Sequence, residues 1–346
     1  MLLISESRVR ANIGRMAARC RRHGLEFRPH FKTHQSLRVG SWFKEYGVNR
    51  IAVTSLRMAL ALEPGGWREI TIATPLNPRE LPAIAQLSVR TPITVFVTAE
   101  ETARMVADLG VPSVGAIIEL DAGYGRSGVD FRDRDRLQRM LEILGPADIR
   151  GFYVHSGHTY DAGSVAEIGR IHHELLAAVA TIRAYDFVRP EMEFISGDTP
   201  SCSTQEDFSG LTALGPGNFV YYDLVQSRLG ACRPEDIACC FAAPVLEVQP
   251  SRGRVVLHAG WVQLGKDQLD DGSYGHLAPL LDGEKNWGNV VPGAKMIKLS
   301  QEHGTAEVPK FWLERLRPGD MVGVLPVHAC AAVHGSLALN ERHFTP

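Results

Sequence analysis

The sequence predicts an α/β fold: a (β/α)8 barrel followed by a small all-β domain. Three observations predict it. Short β-branched runs alternate with longer helical-period stretches from near the start to about residue 225. After about residue 235 the texture changes to strand-like runs broken by Gly, Pro and Asp turns. Polar side chains gather where the early strands end, which in such barrels is where the βα loops build a site. A doubly wound open sheet is the main rival.

The eight strand candidates, in order, are Glu26–Thr33, Arg50–Ser55, Glu69–Pro75, Ile93–Thr98, Val114–Asp121, Arg150–Ser156, Glu193–Ser196 and Phe219–Asp223. Helical-period segments between them include Glu101–Leu109, Arg134–Leu144 and Ser164–Tyr185. Pro244–Val248, Arg254–His258, Lys295–Ser300 and Met321–Leu325 follow, with no long helical pattern between them. The expected domains are therefore a barrel over 5–234 and a β domain over 235–346, which can also take in residues 1–4. Lys32 follows the first strand, Ser55 the second and Thr74 the third. Asp121 and Arg126 follow the fifth, His155 and His158 the sixth, and Ser196–Thr199 the seventh.

A chain of 346 residues suffices for a barrel with an appended domain. With a formal net charge of -2, nothing points to nucleic acid or an anionic membrane surface as a partner. No apolar run approaches the ~18 residues needed to span a bilayer. The start, MLLISESRVR, lacks the apolar core and small-residue cleavage site of a secretory signal, so the cytoplasm is the expected location. Six cysteines are too sparse for a disulfide scaffold, and Cys20, Cys202 and Cys232 read as ordinary packed thiols.

Four segments could carry chemistry. Arg28-Pro29-His30-Phe31-Lys32-Thr33-His34 places a lysine among cationic neighbours, which should ease loss of its proton and favour Schiff-base chemistry; a solvated surface lysine is the plain alternative. Ser196-Gly197-Asp198-Thr199 and Leu214-Gly215-Pro216-Gly217-Asn218 could cradle a phosphate on backbone N–H groups, or simply form turns. Asp198 would repel that phosphate if its carboxylate faced it. His155-Ser156-Gly157-His158-Thr159-Tyr160 offers two imidazoles and a phenol as general acids or bases. In Val327-His328-Ala329-Cys330, an extended segment would put His328 and Cys330 on one face, where both could reach one Zn2+ and leave it an open position. A packed cysteine is the alternative there, and His334 and His343 are rival ligands.

Taken together these segments resemble the D-serine dehydratase family, relatives of the D-threonine aldolases and of the alanine racemase barrel. Arg28–His34 is similar to the family's cofactor-lysine motif, and His155–Tyr160 to its histidine-glycine-histidine segment. Gly217-Asn218-Phe219 with Tyr222-Asp223-Leu224 and Gln226, Ala259-Gly260-Trp261, Tyr274-Gly275-His276 and Ser300-Gln301-Glu302-His303-Gly304 resemble further family segments. Pro326-Val327-His328-Ala329-Cys330 is similar to its zinc element, with Cys where aldolase relatives usually carry Asp. Three features depart from the pattern: the N-terminus lacks a Thr-Pro entry, Gly215 precedes the Pro-Gly pair, and the run after Cys330 is not Thr-rich.

The resemblance implies pyridoxal phosphate carried by Lys32, with Arg126 near its ring and its phosphate on Ser196–Thr199 and Gly217–Asn218. His155 and Tyr160 would complete the cofactor contacts. It also implies Zn2+, or Mn2+ or another divalent metal, on His328 and Cys330. The implied reaction is β-elimination of water from a β-hydroxy D-amino acid, D-serine foremost, by a homodimer. D-Threonine or 3-hydroxy-D-aspartate aldolase is the alternative, with His158 as the base; a non-catalytic cofactor-binding protein is the third reading.

Overall fold

The computed structural model describes residues 1–337 and 342–345. They form two compact units, Ile13–Gly217 and a second made of Met1–Asn12 with 218–346; the expected boundary at 234/235 falls inside the latter.

In the first unit eight parallel strands make up the main path of one sheet, with the two-residue strand Val129–Asp130 paired beside the fifth. In chain order the eight are Glu26–Phe27, Arg50–Val53, Glu69–Pro75, Ile93–Val97, Val114–Asp121, Ile149–Val154, Glu193–Ser196 and Ala213–Leu214. The last pairs with both the seventh and the first, and a parallel bridge between His30 and Ala52 joins the first to the second. The sheet is therefore closed: a barrel, not the doubly wound rival.

Three strands shift by one or two residues at an end, and two differ more from their expected extents. The first is only Glu26–Phe27, because Pro29 has no N–H to give the ladder. Its chain still runs beside the second strand, with Ala52 N–H donating to Pro29 O at 3.0 Å and Phe31 N–H to Ala52 O at 2.7 Å. The eighth is Ala213–Leu214, not Phe219–Asp223. Residues Asn218–Val220 form a 3-10 turn, with the Asn218 carbonyl accepting from Tyr221 and Tyr222 N–H groups. A short buried apolar run has no periodicity by which to tell strand from turn.

The helices lie close to the expected segments: Glu100–Leu109, Arg134–Asp148 with a break at Gly145, and Val165–Arg183. Inward-facing Phe96, Ile117, Tyr153, Ile195 and Ala213 pack as a cluster in the barrel. At the strands' N-terminal ends lies an ion network. Arg28, 1% exposed, reaches Glu26 and Glu193 at 2.9 Å each. Arg50 reaches Glu193 at 2.6 Å and Glu69 at 3.0 Å. Arg28 is thus spent on carboxylates and does not belong to a cationic cluster with Lys32. Burial alone would raise Glu193, but Arg28 and Arg50 outweigh it and hold this carboxyl below the usual range.

The second unit is a mostly antiparallel sheet. Cys239–Gln249 pairs with Leu2–Ser5, Arg254–Leu257 and Met321–Pro326; Gly275–Leu281 pairs with Met321–Pro326 and Lys295–Leu299. Its core includes Phe241, Val245, Leu257, Leu277, Met296 and Val324. The sequence reading missed the strands Gly275–Leu281 and Gly304–Glu307 and the helix Ala329–Leu337. Among the described residues, no helix is long and apolar enough to cross a membrane.

Candidate active site

The C-terminal ends of the barrel strands carry the first group of reactive side chains. Lys32 lies in the turn after the first strand and is half-buried. Its N–H donates to His30 Nδ1 at 3.3 Å, and its carbonyl accepts from Gln35 Nε2 at 3.1 Å, so its backbone is fixed on both sides. His30 itself is 7% exposed. Burial, then the charges of Lys32, His155 and Arg126, push its imidazole well below the ordinary histidine range, which suits a neutral ring accepting from Lys32.

His155 faces the same charges. Burial, the Lys32 ammonium and the Arg126 guanidinium lower its imidazole to about 3. Its Nδ1 lies 2.9 Å from the Gly197 carbonyl oxygen. A carbonyl can only accept, so Nδ1 carries the proton and Nε2 keeps the lone pair. Tyr124 lies edge-on to His155 at 5.8 Å and stacks with His158 at 5.9 Å between ring centroids. His158 Nδ1 is buried and has no hydrogen-bond partner among the described residues.

Arg126 sits on the loop after the fifth strand. Asp121 Oδ1 shapes that loop by accepting from Gly123 N at 2.9 Å and Gly125 N at 3.0 Å. The Arg126 side chain is 50% exposed, 3.6 Å from Glu119 Oε1, and its guanidinium lies 5.2 Å from the Tyr124 ring centre. Glu119 is buried, and burial raises its carboxyl despite the Ser127 hydroxyl and Arg126 beside it.

A cradle of small residues follows the seventh and eighth strands. A Cβ on Gly197 would come within 2.6 Å of Gly215 O and 2.7 Å of the Tyr153 hydroxyl, and one on Gly217 within 3.1 Å of His30. Only glycine allows these backbones to approach so closely. The Ser196 hydroxyl beside them is fully buried with no partner among the described residues. An orphaned hydroxyl and close backbone N–H groups suit a phosphate. Asp198 turns its carboxylate away into a cap: Oδ1 accepts from Ser201 N at 2.8 Å and from the Thr159 hydroxyl at 2.9 Å. Thr199 opens the short helix that Asp198 caps, and Tyr160 lies half-buried in the turn Gly157–Asp161. Ser55 and Thr74 serve structure instead: Ser55 caps the helix Leu56–Leu62, and the Thr74 hydroxyl donates to Thr54 O at 3.1 Å.

The second unit carries the other group. His328 precedes the helix Ala329–Leu337 and Cys330 lies in its first turn, so the pair straddles a strand–helix junction and does not share an extended face. The structure still brings them together, the thiol hydrogen-bonding the imidazole. Asp223, fully buried, places Oδ2 3.4 Å from His328 Nδ1. Burial by itself would lower His328, but Cys330 and Asp223 outweigh it and lift the imidazole to about 11. Two acidic groups around one ring favour a cation, and imidazole with thiolate is a donor set that suits Zn2+. His334 and His343 are both exposed. No third histidine, cysteine or carboxylate joins the pair as a metal cluster among the described residues. The Asn218 amide donates to Asp223 Oδ2 at 2.6 Å.

Four of the other cysteines carry no comparable setting. Burial pushes Cys20 up to about 12 and raises Cys202, Cys239 and Cys240 as well, leaving inert thiols.

Comparison with known proteins gives this arrangement its family. The alanine racemase N-terminal domain model matches residues 4–222, and a serine dehydratase domain model matches 238–337. The chain belongs to the D-serine dehydratase family of alanine racemase-type barrels. It is a D-serine dehydratase-like lyase, and the family implies pyridoxal phosphate as its cofactor. D-threo-3-hydroxyaspartate dehydratase of Delftia sp. is 28% identical over 95% of this chain and 90% of its own length. D-serine dehydratase of Dictyostelium discoideum is 23% identical over 95% and 89%. The solved Delftia enzyme superposes with a TM-score of 0.88 at 26% identity, over 96% of this chain and 91% of that one. Its solved forms include histidine-to-alanine and cysteine-to-alanine variants two positions apart, the latter metal-free.

The sequence reading quoted His30 and Asp223 within motifs but gave neither a role, and it did not single out Tyr124. His30 two before the lysine and Tyr124 between two glycines were the available signals; for the hold of Asp223 on His328 and Ala329 there was none, because Ala329 lies 106 residues on.

Proposed function

We propose that this chain dehydrates a β-hydroxy D-amino acid, with D-serine the first substrate and D-threo-3-hydroxyaspartate the second. The observation that carries the reading is the His328–Cys330 pair held beside buried Asp223. Its His-x-Cys spacing is that of the two positions replaced in the Delftia enzyme.

Each unit has its share of the work. In the barrel, Lys32 binds the cofactor, and the Ser196, Gly197 and Gly217 cradle takes its phosphate, with the backbones of Asp198, Thr199 and Asn218 adding N–H donors. His155, neutral and fixed by Gly197, and Arg126 flank the ring; Tyr160 adds a phenol. In the β unit, His328 Nε2 and Cys330 Sγ are the ligands for Zn2+, or for another divalent ion such as Mn2+. The cofactor supplies an electron sink at Cα and the metal a Lewis acid at the β-hydroxyl, which is otherwise a poor leaving group. With its amine free, Lys32 would take the Cα proton, and that hydrogen together with the β-hydroxyl would make up the one water lost as Cβ–O breaks. Hydrolysis of the resulting enamine gives pyruvate and ammonia from D-serine.

One observation favours a second reading. The Nδ1 of His158 is buried with no partner among the described residues, and in this reading His158 would be the base that deprotonates the β-hydroxyl, breaking Cα–Cβ as in an aldolase. The 3-hydroxy-D-aspartate aldolase of Paracoccus denitrificans is 24% identical over 66% of this chain. Incubation of zinc- and cofactor-loaded protein with D-serine, D-threo-3-hydroxyaspartate and D-threonine separates the two. Pyruvate, oxaloacetate or 2-oxobutyrate supports dehydration; glycine with an aldehyde moves the chain to the aldolases. The same reading expects a cytoplasmic homodimer, and a monomer in light scattering would count against the dimer.

A further inference from the structure

We infer that Asp223 is a positioning residue for the metal pair: it holds His328 with Nδ1 inward, so that Nε2 is the atom presented to the metal beside Cys330. This rests on the metal reading above.

The argument is an inventory of lone pairs. A carboxylate offers about four acceptor sites. Asp223 Oδ1 accepts from Gln226 N at 2.9 Å. Oδ2 accepts from the Asn218 amide at 2.6 Å and from Ala329 N at 2.9 Å, and His328 Nδ1 lies 3.4 Å from it. One donor meets Oδ1 and three converge on Oδ2 of this fully buried group, so the oxygen that faces His328 has no lone pair left over for a metal. The identity of the donors matters as much as their number. Ala329 is the residue between His328 and Cys330, so one oxygen pins both the imidazole and the peptide that sets its distance from the thiol. His328, by contrast, keeps 30% of its side chain exposed. A carboxylate on one ring nitrogen, with the metal on the other, fixes the tautomer and makes the ligand more basic.

The competing account is that Asp223 merely caps the helix Leu224–Arg228 through Oδ1. Asp223→Asn distinguishes them. Asparagine caps as well as aspartate, but its NH2 would face the donors that now meet Oδ2. Zinc affinity, measured by competition with a chromophoric chelator, is expected to fall about 10- to 100-fold with unchanged circular dichroism. Wild-type affinity in Asp223→Asn would overturn the inference. Should that variant not fold, the zinc-loaded wild-type protein decides by nitrogen-15 histidine spectra, with His328 assigned from His328→Ala. Zinc on Nε2 with Nδ1 protonated is the expected result; zinc on Nδ1 overturns the inference and leaves the metal reading standing. Zinc uptake unaffected by His328→Ala and Cys330→Ala would instead overturn the metal reading itself.

Discussion

In the barrel unit the reactive side chains stand on separate strands, each contributing one or two groups at its C-terminal end; in the β unit a single strand–helix junction carries the whole pair. The two arrangements place polar groups under different constraints. The barrel keeps its stabilising charges apart from its chemistry: Arg28, Arg50, Glu26, Glu69 and Glu193 meet at the strands' N-terminal ends, away from Lys32, Arg126 and His155. The β unit has no such separation, since Asp223 caps a helix and supports His328 with one carboxylate. Substitutions should therefore split into chemical and structural classes in the barrel but not in the β unit.

The largest effect belongs to Lys32→Ala. Turnover should fall roughly a thousandfold or more, and the visible absorbance of bound cofactor should vanish while thermal unfolding stays close to wild type. Retained absorbance would assign the cofactor to another lysine.

Chelation of the metal, or His328→Ala, should cost about 100-fold or more in dehydration, because a Lewis acid contributes several kcal/mol at the leaving oxygen. The visible cofactor band should survive. Its loss would mean that the division of labour between the units is wrong.

Next comes the ion network. Arg28→Ala removes the buried partner of the half-buried Glu26 and Glu193, which Arg50 still contacts, and should destabilise the protein by about 2 kcal/mol in chemical denaturation. KM and kcat of the folded variant should hold; a selective loss of kcat would tie the network to the site.

The smallest effect is the acid limb. Glu193 has a folded pKa below its unfolded value, so its contribution to stability is fully present above about pH 4.3 and is lost as pH falls through the folded pKa. Unfolding midpoints across that range should drop more steeply in wild type than in Glu193→Gln. Equal slopes would show that Arg28 and Arg50 do not hold the carboxyl down.

Much of the fold was legible because its signals are local. Alternating β-branched and helical periods marked seven of the eight barrel strands, and the position of Lys32 after the first strand needed only the order of elements. The His-x-Cys pair was visible as spacing, although the reason given for it, an extended segment, was not the one the structure uses.

What the sequence by itself determined was therefore the order of elements and the residue types at their ends. Tertiary structure alone decided that the ring closes where Ala52 pairs with the chain around Pro29, and that Ala213–Leu214 is its eighth strand. It also decided that Arg28 turns to Glu193, 165 residues away, and that Ala329 finds Asp223 across 106 residues. Periodicity is written into neighbouring residues, whereas a buried charge must find its partner wherever the chain returns, and no spacing in the sequence records that return.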